Sequence, residues 1–142
     1  MNEQKSHALI GLWKLKQYVV EVQETGEKIF TLGEHPTGYA NFTQDGHVMV
    51  TLAAQDRMPA VTDTDSTDLL KTLVAYAGTY RLEGDEWITK VEVAWNPSWV
   101  GTEQRRIFTM TGDNMEVKTT WRIMPNWQSI GMQRSILTFT KV

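Results

Sequence analysis

The chain has 142 residues, enough for a single domain that buries roughly 68–70% of the surface exposed by its unfolded chain. Hydrophobic residues make up 41% and charged residues 22%, which is typical of a folded globular protein and not of a disordered one. A formal net charge of −3 offers no basic surface for nucleic acid, and no apolar run approaches the ~20 residues that cross a bilayer. We therefore expect one domain over residues 1–142, with no nucleic-acid partner and no membrane association.

The chain has no cysteine and only three histidines, which excludes several kinds of site. Disulfides, Cys–zinc sites and thiol nucleophiles cannot form, and the histidines are too dispersed for a histidine-rich metal site. No glycine-rich phosphate loop, Gly-x-Ser-x-Gly or His-Glu-x-x-His occurs. The opening MNEQKSHALIGLW lacks the long apolar segment of a secretory signal. We expect a cytoplasmic protein that uses neither a metal nor a cofactor.

The N-terminal part of the chain is typical of short strands separated by turns. A long strand over Gly11–Gln23 ends at the turn ETGEK, and a short strand follows at Ile29–Leu32. Gly38–Thr43 and His47–Ala53 are predicted to form a hairpin, because the Asp-Gly between them supplies the positive φ of a tight turn.

A different pattern follows the hairpin. Apolar side chains recur at helical spacing at Leu69, Leu70, Leu73, Val74 and Ala77. This spacing predicts one short amphipathic helix, with Asp65 or Ser66 as its N-cap and Gly78 at its end. The aspartates near its start lack the spacing of a calcium-binding EF-hand and fit carboxylates that the helix dipole favours.

Strands resume after the helix. Their predicted bounds are Gly78–Glu83, Trp87–Ala94, Glu103–Thr111, Met115–Arg122 and Ser129–Val142. Eight or nine antiparallel strands in meander order, with one short α-helix, predict an all-β up-and-down barrel. A β-sandwich is the alternative, although few connections are long enough for Greek-key crossings.

Four sequence blocks resemble a known family. ALIGLWKLKQY resembles the calycin opening, in which a short helical turn precedes Gly-x-Trp on the first strand, here Gly11 and Trp13. LGEHPTGYANFTQDGHVMVTL, YAGTYRLEGDEWIT and VEVAWNPSWVGTEQRRIF then resemble, in order, blocks of the bacterial and fungal lipocalin-like domain family. The resemblance runs from about residue 9 to the C-terminus. It implies a small lipocalin-like (calycin) barrel with an internal ligand cavity.

The resemblance also implies roles for particular residues. In calycins the Gly-x-Trp indole closes one barrel end under an arginine of the last strand. Arg134 is the candidate partner of Trp13, through a cation–π contact worth about 0.5–2 kcal/mol. A few lipocalin-like proteins host a cyclisation, elimination or isomerisation in the cavity. Relatives often carry a histidine just before a Val-Glu pair, where this chain has Thr89-Lys90.

The candidate ligand-binding residues combine apolar area with a few polar groups, the mixture that orients a ligand in an apolar cavity. They are Tyr39, Asn41, Met49, Thr51, Tyr76, Tyr80, Trp95, Trp99 and Arg105. We expect the hairpin residues to point inward and the other aromatic residues to lie at the barrel mouth. Because Arg105 and Arg106 are adjacent on a strand, at most one of them points into the barrel.

The candidate catalytic residues are Glu92, His47 and Tyr39. Glu92 is either an exposed carboxylate on the outer wall or a desolvated one in the cavity, acting as a general base or pairing with Arg105. One hairpin register places Glu92 opposite Arg105, and a shift by one residue places Val91 there instead. The sequence leaves this register open. His47 follows the hairpin turn, so we expect it at the barrel rim.

These observations favour a protein that binds a small, mostly apolar or aromatic molecule in its barrel cavity. The alternative is a cofactor-free isomerase, cyclase or lyase that uses acid–base groups in the same cavity. A third interpretation is a self-associating structural protein, with a barrel plugged by side chains and Trp95 or Trp99 buried against another subunit. The expected partner is a small-molecule ligand or substrate, and the third interpretation adds a homodimer.

Overall fold

The computed structural model describes residues 2–142, with side chains from Ser6 onward. The helices and strands are α1 (Asn2–Leu9), β1 (Gly11–Val22), β2 (Lys28–Ile29), β3 (Thr37–Phe42), β4 (His47–Ala53), α2 (Asp63–Leu70), β5 (Leu73–Glu83), β6 (Glu86–Ala94), β7 (Glu103–Thr111), β8 (Asn114–Thr119) and β9 (Gln133–Lys141). Two 3₁₀ turns lie at Pro97–Trp99 and Pro125–Ile130. None of the helices in these residues has the length and apolar composition needed to span a bilayer.

The strands form a closed antiparallel barrel. From β3 to β9 each strand pairs with the next, while β1 pairs with β3 on one side and with β9 on the other. The β1–β9 ladder extends from Trp13–Lys141 to Val22–Gln133, so both strands are joined along nearly their whole length. The two-residue strand β2 adds to β1 beyond the end of β3. The predicted up-and-down barrel, eight strands with one extra, is confirmed.

Side chains alternate between the inside and the outside of the barrel, as the pleat of a strand requires. On β4, Val48, Val50 and Leu52 are buried while the residues between them face outward. Phe42 and Trp87 pack edge to face in the interior, with ring centroids 4.7 Å apart. No residue of α2 is buried, so the core lies within the barrel.

Trp13 closes the barrel end at which α1 lies. Its indole is 1% exposed, and its Nε1–H donates to the Leu9 carbonyl at 2.9 Å. Lys141 lies opposite Trp13 in the ladder, with its Nζ 4.7 Å from the ring centroid. The same ammonium donates to the carbonyls of Ala8 and Ile10 at 2.9 and 2.5 Å. One cation therefore covers the indole and binds the end of α1.

Arg134 does not stack on Trp13, so that part of the prediction is wrong. Arg134 alternates with two buried residues of β9 and thus faces outward. Its Nε donates to Glu21 Oε1 at 2.6 Å, and its Cζ lies 4.5 Å from the Trp121 ring centroid. Lys141, at the far end of the same strand, supplies the cation instead.

The helix α2 begins earlier than predicted. The Thr62 side chain accepts the Asp65 backbone N–H, and the Asp65 carboxylate accepts the Thr62 N–H in return. This capping box satisfies two donors at the helix start, so Thr62 is the N-cap. Residues 2–142 thus contain two short α-helices and not the one that was predicted, because α1 supplies the helical turn that the family resemblance implied.

The predicted helix is wrong from Leu73 onward. This stretch is β5, which pairs with β4 along that strand's whole length. Val74, Tyr76 and Gly78 are its buried positions, with the period of two that a strand shows. The apolar residues at helical spacing therefore belong to two elements, and sheet pairing overrides the apparent helical stripe.

The segment of residues 120–132 connects β8 to β9, and we call it the strap. The predicted last strand from Ser129 begins only at Gln133, because the 3₁₀ turn at Pro125–Ile130 occupies the preceding residues. An isolated bridge between Arg122 and Gln133 joins the two ends of the strap. The strap covers the barrel end opposite Trp13, since β9 runs from the strap to Lys141.

Replacing Trp13 by alanine tests the role of the closed end. We expect the free energy of unfolding to fall by about 3–5 kcal/mol, because a large buried side chain leaves a cavity. Urea denaturation measures this, with Trp121→Ala as the control, since that indole lies on the outer wall and is 38% exposed. Equal losses in the two variants would contradict the assignment of Trp13 as the closing residue.

Candidate functional site

The hairpin β3–β4 turns four of the predicted ligand-binding residues outward. Tyr39 pairs with Thr51 and Asn41 with Met49, and the residues that alternate with them are buried. Tyr39 is 43% exposed and Met49 47% exposed. The inward orientation expected for these four residues is therefore wrong, and their mixture of polar and apolar groups belongs to the outer wall.

Glu92 also faces outward, because it alternates with buried Val91, and it lies at a bulge of β6. Ala77 pairs with Val93 and Gly78 with Val91, which leaves Glu92 as the extra residue. The strands approach closely here, since a Cβ on Gly78 would lie 1.9 Å from a carbonyl oxygen of β6. Glu92 is exposed, so the outer-wall interpretation of this carboxylate holds.

Arg105 lies opposite Ile88, so neither predicted hairpin register occurs. Its Nη1 is 3.5 Å from Glu86 Oε2 and 3.9 Å from Glu83 Oε1, on the outer face. Arg106 is the inward member of the pair and is 5% exposed. The prediction that Arg105 contributes to the cavity is therefore wrong, although the alternation that separates the two arginines is observed.

Three predicted residues do meet, but outside the barrel. A groove of about 360 Å³ on the outer face of β4–β6 is lined in part by His47, Met49 and Glu92. His47 Nδ1 lies 3.1 Å from Asp45 Oδ1. The Thr43 hydroxyl donates to the same carboxylate and, followed by His47, holds the pKa of Asp45 below its ordinary value. The groove thus gathers titratable groups at an exposed turn.

The aromatic residues at the strap end do reach the interior. Tyr76 and Trp99 are 6% and 7% exposed, with ring centroids 5.2 Å apart. Trp95 packs edge to face on Trp99 at 4.8 Å, and its Nε1–H donates to Asn126 Oδ1 of the strap at 3.2 Å. These three aromatic residues form a wall beneath the strap.

Tyr80 lies toward the other end of the barrel. Its half-buried ring packs edge to face on Phe42 at 5.2 Å, and burial raises the pKa of its hydroxyl. It borders a surface depression of about 440 Å³ together with residues next to α1. Tyr80 therefore does not share a cavity with Tyr76.

Arg106 brings a positive charge into the aromatic wall. Its Cζ lies 5.9 Å from the Tyr76 ring centroid and 5.7 Å from that of Trp99. Its Nη1 donates to the Arg105 carbonyl at 3.0 Å. Rings at this distance attract a cation through their quadrupole, so they hold the guanidinium without neutralising it.

Arg122 supplies a second interior guanidinium at the base of the strap. Its Nη2 donates to Ser135 Oγ at 3.1 Å and contacts Met124 Sδ at 3.6 Å. Ser135 Oγ also shares a 2.7 Å hydrogen bond with the Tyr18 hydroxyl. Nε and Nη1 of Arg122 are buried and have no acceptor among the described residues. Burial lowers the pKa of Arg122, as does the nearby charge of Arg106.

These groups surround a cavity inside the barrel with a free volume of about 20 Å³. A cavity of roughly this size holds about one water molecule. Met124, which is fully buried, fills the strap side of it. Trp127 of the strap packs edge-on to Tyr18 at 5.9 Å. The interior is therefore largely filled by side chains.

The self-association interpretation predicts a barrel filled by side chains, and the interior is largely filled. It also predicts that Trp95 or Trp99 is buried against another subunit, which the structure does not require. Trp99 is buried by Tyr76 and Trp95 of its own chain, so its burial needs no second subunit.

No acidic side chain is buried among the described residues. In the same residues no group of three or more His, Asp or Glu is close enough to hold a metal ion.

The comparison with known proteins decides the family. The sequence model of a family described as a lipocalin-like domain matches residues 10–142. The chain belongs to this family. Among curated proteins none matches it significantly. It is similar to the crystal structure of an uncharacterized protein from Bacteroides eggerthii DSM 20697, with 12% identity, a TM-score of 0.44 and coverage of 94% of this chain and 98% of that chain.

This lipocalin-like barrel has no histidine on the inner face of β6. Thr89 is fully buried, and its Oγ1 accepts the Trp87 Nε1–H at 2.6 Å. Lys90 faces outward and is exposed. The two positions just before Val91 and Glu92, where the family resemblance implied a histidine, thus hold a structural hydrogen bond and a solvated ammonium.

Tyr18, Arg122 and Ser135 were not among the predicted site residues, and Arg105 was predicted in place of Arg106. Two of these residues carry a signal in the sequence: Arg106 shares a strand face with Phe108, and Ser135 shares the inner face of β9 with two apolar residues. Arg122 lies outside the regular strands, and no strand period predicts its direction.

Replacing Tyr18 by phenylalanine tests the interior polar cluster. We expect the free energy of unfolding to fall by about 0.5–1.5 kcal/mol, the net worth of one hydrogen bond. Tyr39→Phe is the matched control, because that hydroxyl has no protein partner among the described residues and its ring is exposed. Thermal or urea unfolding measures both, and equal stability of the two variants would contradict a structural Tyr18–Ser135 bond.

Proposed function

We propose that this lipocalin-like barrel binds a small, mostly apolar or aromatic molecule at its strap end. The observation that carries the proposal is the guanidinium of Arg122, of which two nitrogens, Nε and Nη1, are buried without a hydrogen-bond acceptor. This guanidinium lines a cavity whose other walls are mainly aromatic and aliphatic side chains. Buried polar groups without a partner are rare in native proteins because each costs desolvation free energy. A protein that only needed a packed core would gain stability from an apolar residue here.

Ligand entry requires the strap to move beyond Arg122, which a backbone bridge joins to Gln133 of β9. Pockets for small molecules measure about 300–1,000 Å³, far more than the 20 Å³ that is free here. The strap is held mainly by side-chain contacts, with Asn126 Nδ2 donating to the Leu73 carbonyl at 2.9 Å. Displacing the strap removes Met124 from the cavity and opens the aromatic wall to solvent. We therefore assign the closed barrel to the free protein.

Replacing Met124 by alanine tests the proposed site. The variant should bind the neutral dye N-phenyl-1-naphthylamine several-fold more tightly than the wild type, because the plug is shortened. Its free energy of unfolding should fall by about 2–5 kcal/mol, as for other buried methionines. Dye fluorescence and urea denaturation provide the two readouts.

Met132→Ala is the matched control, since this second methionine of the strap is 43% exposed. It should change neither dye affinity nor stability. The proposed function fails if the wild type shows no saturable dye binding, or if both methionine variants alter the affinity equally.

A second candidate function is a cofactor-free isomerase, cyclase or lyase. One observation favours it, the gathering of His47, Asp45 and Glu92 around the outer groove. The site would then lie on the wall and not in the cavity, and Tyr39 does not line it. A general base of this kind contributes about 10²–10⁴-fold to the rate.

His47→Gln tests this candidate on any metabolite that stabilises the protein in a thermal-shift screen. Mass spectrometry measures conversion, and we expect turnover to fall by about 10²–10⁴ if His47 is the base. His35→Gln is the control, because that histidine is exposed in a loop. Equal turnover in both variants would leave the groove without a catalytic role.

A further inference from the structure

We propose that the ligand of the barrel carries a carboxylate, which Arg122 and Arg106 bind, attached to a compact apolar body. This inference rests on the proposed function and specifies the chemical class of its ligand. It follows from the charges inside the barrel, the unused donors of Arg122 and the composition of the remaining wall.

The interior charges are unbalanced. Arg106 and Arg122 both line the cavity, and neither forms an ion pair with any described residue. No aspartate or glutamate is buried among those residues. Arginine remains charged under all ordinary conditions, so the cavity holds two positive charges and no negative one.

The outward arginines show the opposite arrangement. Arg81, Arg105 and Arg134 each lie within 4 Å of a carboxylate on the outer wall. Acidic residues are thus available along the same strands, but they face solvent. Exposed Arg57 also has no carboxylate partner, but it donates to the Thr72 hydroxyl and the Leu69 carbonyl and remains in contact with solvent. The interior pair combines the lack of a counter-ion with burial.

The geometry of Arg122 leaves room for an anion. Ser135 and Met124 occupy Nη2, while Nε and Nη1 are buried without an acceptor. The Tyr18 hydroxyl, bonded to Ser135, is a further polar group beside the guanidinium. Each edge of a guanidinium that offers two parallel N–H groups includes Nη2, so a bidentate carboxylate needs the Nη2–H that contacts Met124 Sδ in the closed barrel. Displacement of Met124 frees that N–H, and Nε or Nη1 then supplies the second bond. A carboxylate suits this fork better than a neutral amide, because charge-assisted bonds are shorter and roughly twice as strong.

Electrostatic repulsion favours an anion over a neutral acceptor. Burial is the main effect that lowers the pKa of Arg122, and the charge of Arg106 adds to it, while nearby Tyr18 offsets part of the shift. The net lowering means that the charged form is destabilised in the closed barrel. A bound carboxylate relieves both effects, because it attracts each guanidinium and separates their charges. A neutral ligand satisfies hydrogen bonds but leaves the repulsion.

The other residues of the cavity wall indicate the chemistry of the part of the ligand that does not bind the arginines. Most of these residues are apolar, among them Val50, Val74, Leu137 and Phe139, and the rings of Tyr76 and Trp99 flank Arg106. A doubly charged phosphate or a long polar chain would lose more solvation than the few hydroxyls of the wall, those of Tyr18, Thr119 and Ser135, can replace. One carboxylate on a compact apolar body fits this wall.

The experiment compares two probes of nearly the same size and shape, the anion 3-phenylpropionate and the neutral 3-phenylpropionamide, by displacement of N-phenyl-1-naphthylamine at pH 7. Wild-type protein should bind the carboxylate at least about 30-fold more tightly than the amide, since a buried charge pair contributes this much or more. Arg122→Met and Arg106→Met should each remove most of that preference. Arg105→Met, the outward neighbour, should keep it.

Stability provides a second readout. If Arg122 is reserved for a ligand, Arg122→Met should melt no lower than the wild type, because it removes a buried charge without a counter-ion. Lower melting together with an unchanged preference for the carboxylate would make Arg122 a structural residue and overturn the inference. The wild-type comparison of the two probes decides the question even if a variant fails to fold.

The outcomes separate the inference from the proposed function. Equal affinity for carboxylate and amide, with the dye still bound, would overturn the carboxylate while the apolar site stands. Binding of neither the dye nor either probe would overturn both. Displacement of the dye by inorganic phosphate as effectively as by 3-phenylpropionate would also overturn the inference, because the apolar body would then contribute nothing.

Discussion

The pairing of β1 with β9 closes the sheet, and every other feature of the molecule depends on that closure. A closed barrel has one small interior and a large outer wall, so each residue of a strand belongs to one or the other. An eight-stranded barrel is only wide enough for side chains to fill it or for one small ligand. The alternation of side chains along each strand therefore decides which residues point into the interior. Wherever a bulge adds a residue to a strand, the residues after it change sides.

A bulge in β1 decides part of the composition of the site. In β1 the register shifts between Leu15 and Gln17, so the buried positions change from Trp13 and Leu15 to Tyr18 and the alternate residues after it. Without that shift the Tyr18 ring would lie on the outer wall. In β6 the Glu92 carboxylate lies outside because it alternates with buried Val91, and the bulge changes the side only of the residues that follow it. The irregularity in β1 thus brings Tyr18 into the interior cluster, whereas ordinary alternation keeps Glu92 out of it.

The barrel could be predicted from turn signals and alternation, whereas the site could not. The predicted bounds of the hairpin β3–β4 lie within one residue of the observed ones. The prediction nevertheless assigned the wrong face of the hairpin to the barrel interior. Its inner face is the more apolar one, with Phe42, Val48 and Val50 buried. The expectation of a mixed-polarity cavity favoured the wrong face. Adjacent Arg105 and Arg106 had to point in opposite directions, but only the observed pairing with β6 and β8 decides which one enters the barrel.

The two barrel ends use buried cations in different ways. At the α1 end, Lys141 donates to two backbone carbonyls and covers the indole of Trp13, so its charge is used by the fold. Burial lowers the pKa of this ammonium, and its hydrogen bonds compensate for part of that desolvation. At the strap end, Arg122 uses one nitrogen and leaves two without an acceptor among the described residues.

The same contrast applies to the backbone at the two ends. The Trp13 end is held by ladders of β1 with both β3 and β9, whose disruption would open the barrel itself. The strap is held by side-chain bonds of Asn126 and Gln133, by the contacts of Met124 and Trp127, by one isolated bridge and by a backbone bond from Gln23 to Met132. Segments with few ladder bonds open at a lower free energy than core strands. The end whose cation is only partly used by the fold is therefore also the end with fewer ladder bonds, as the proposed entry of a ligand requires.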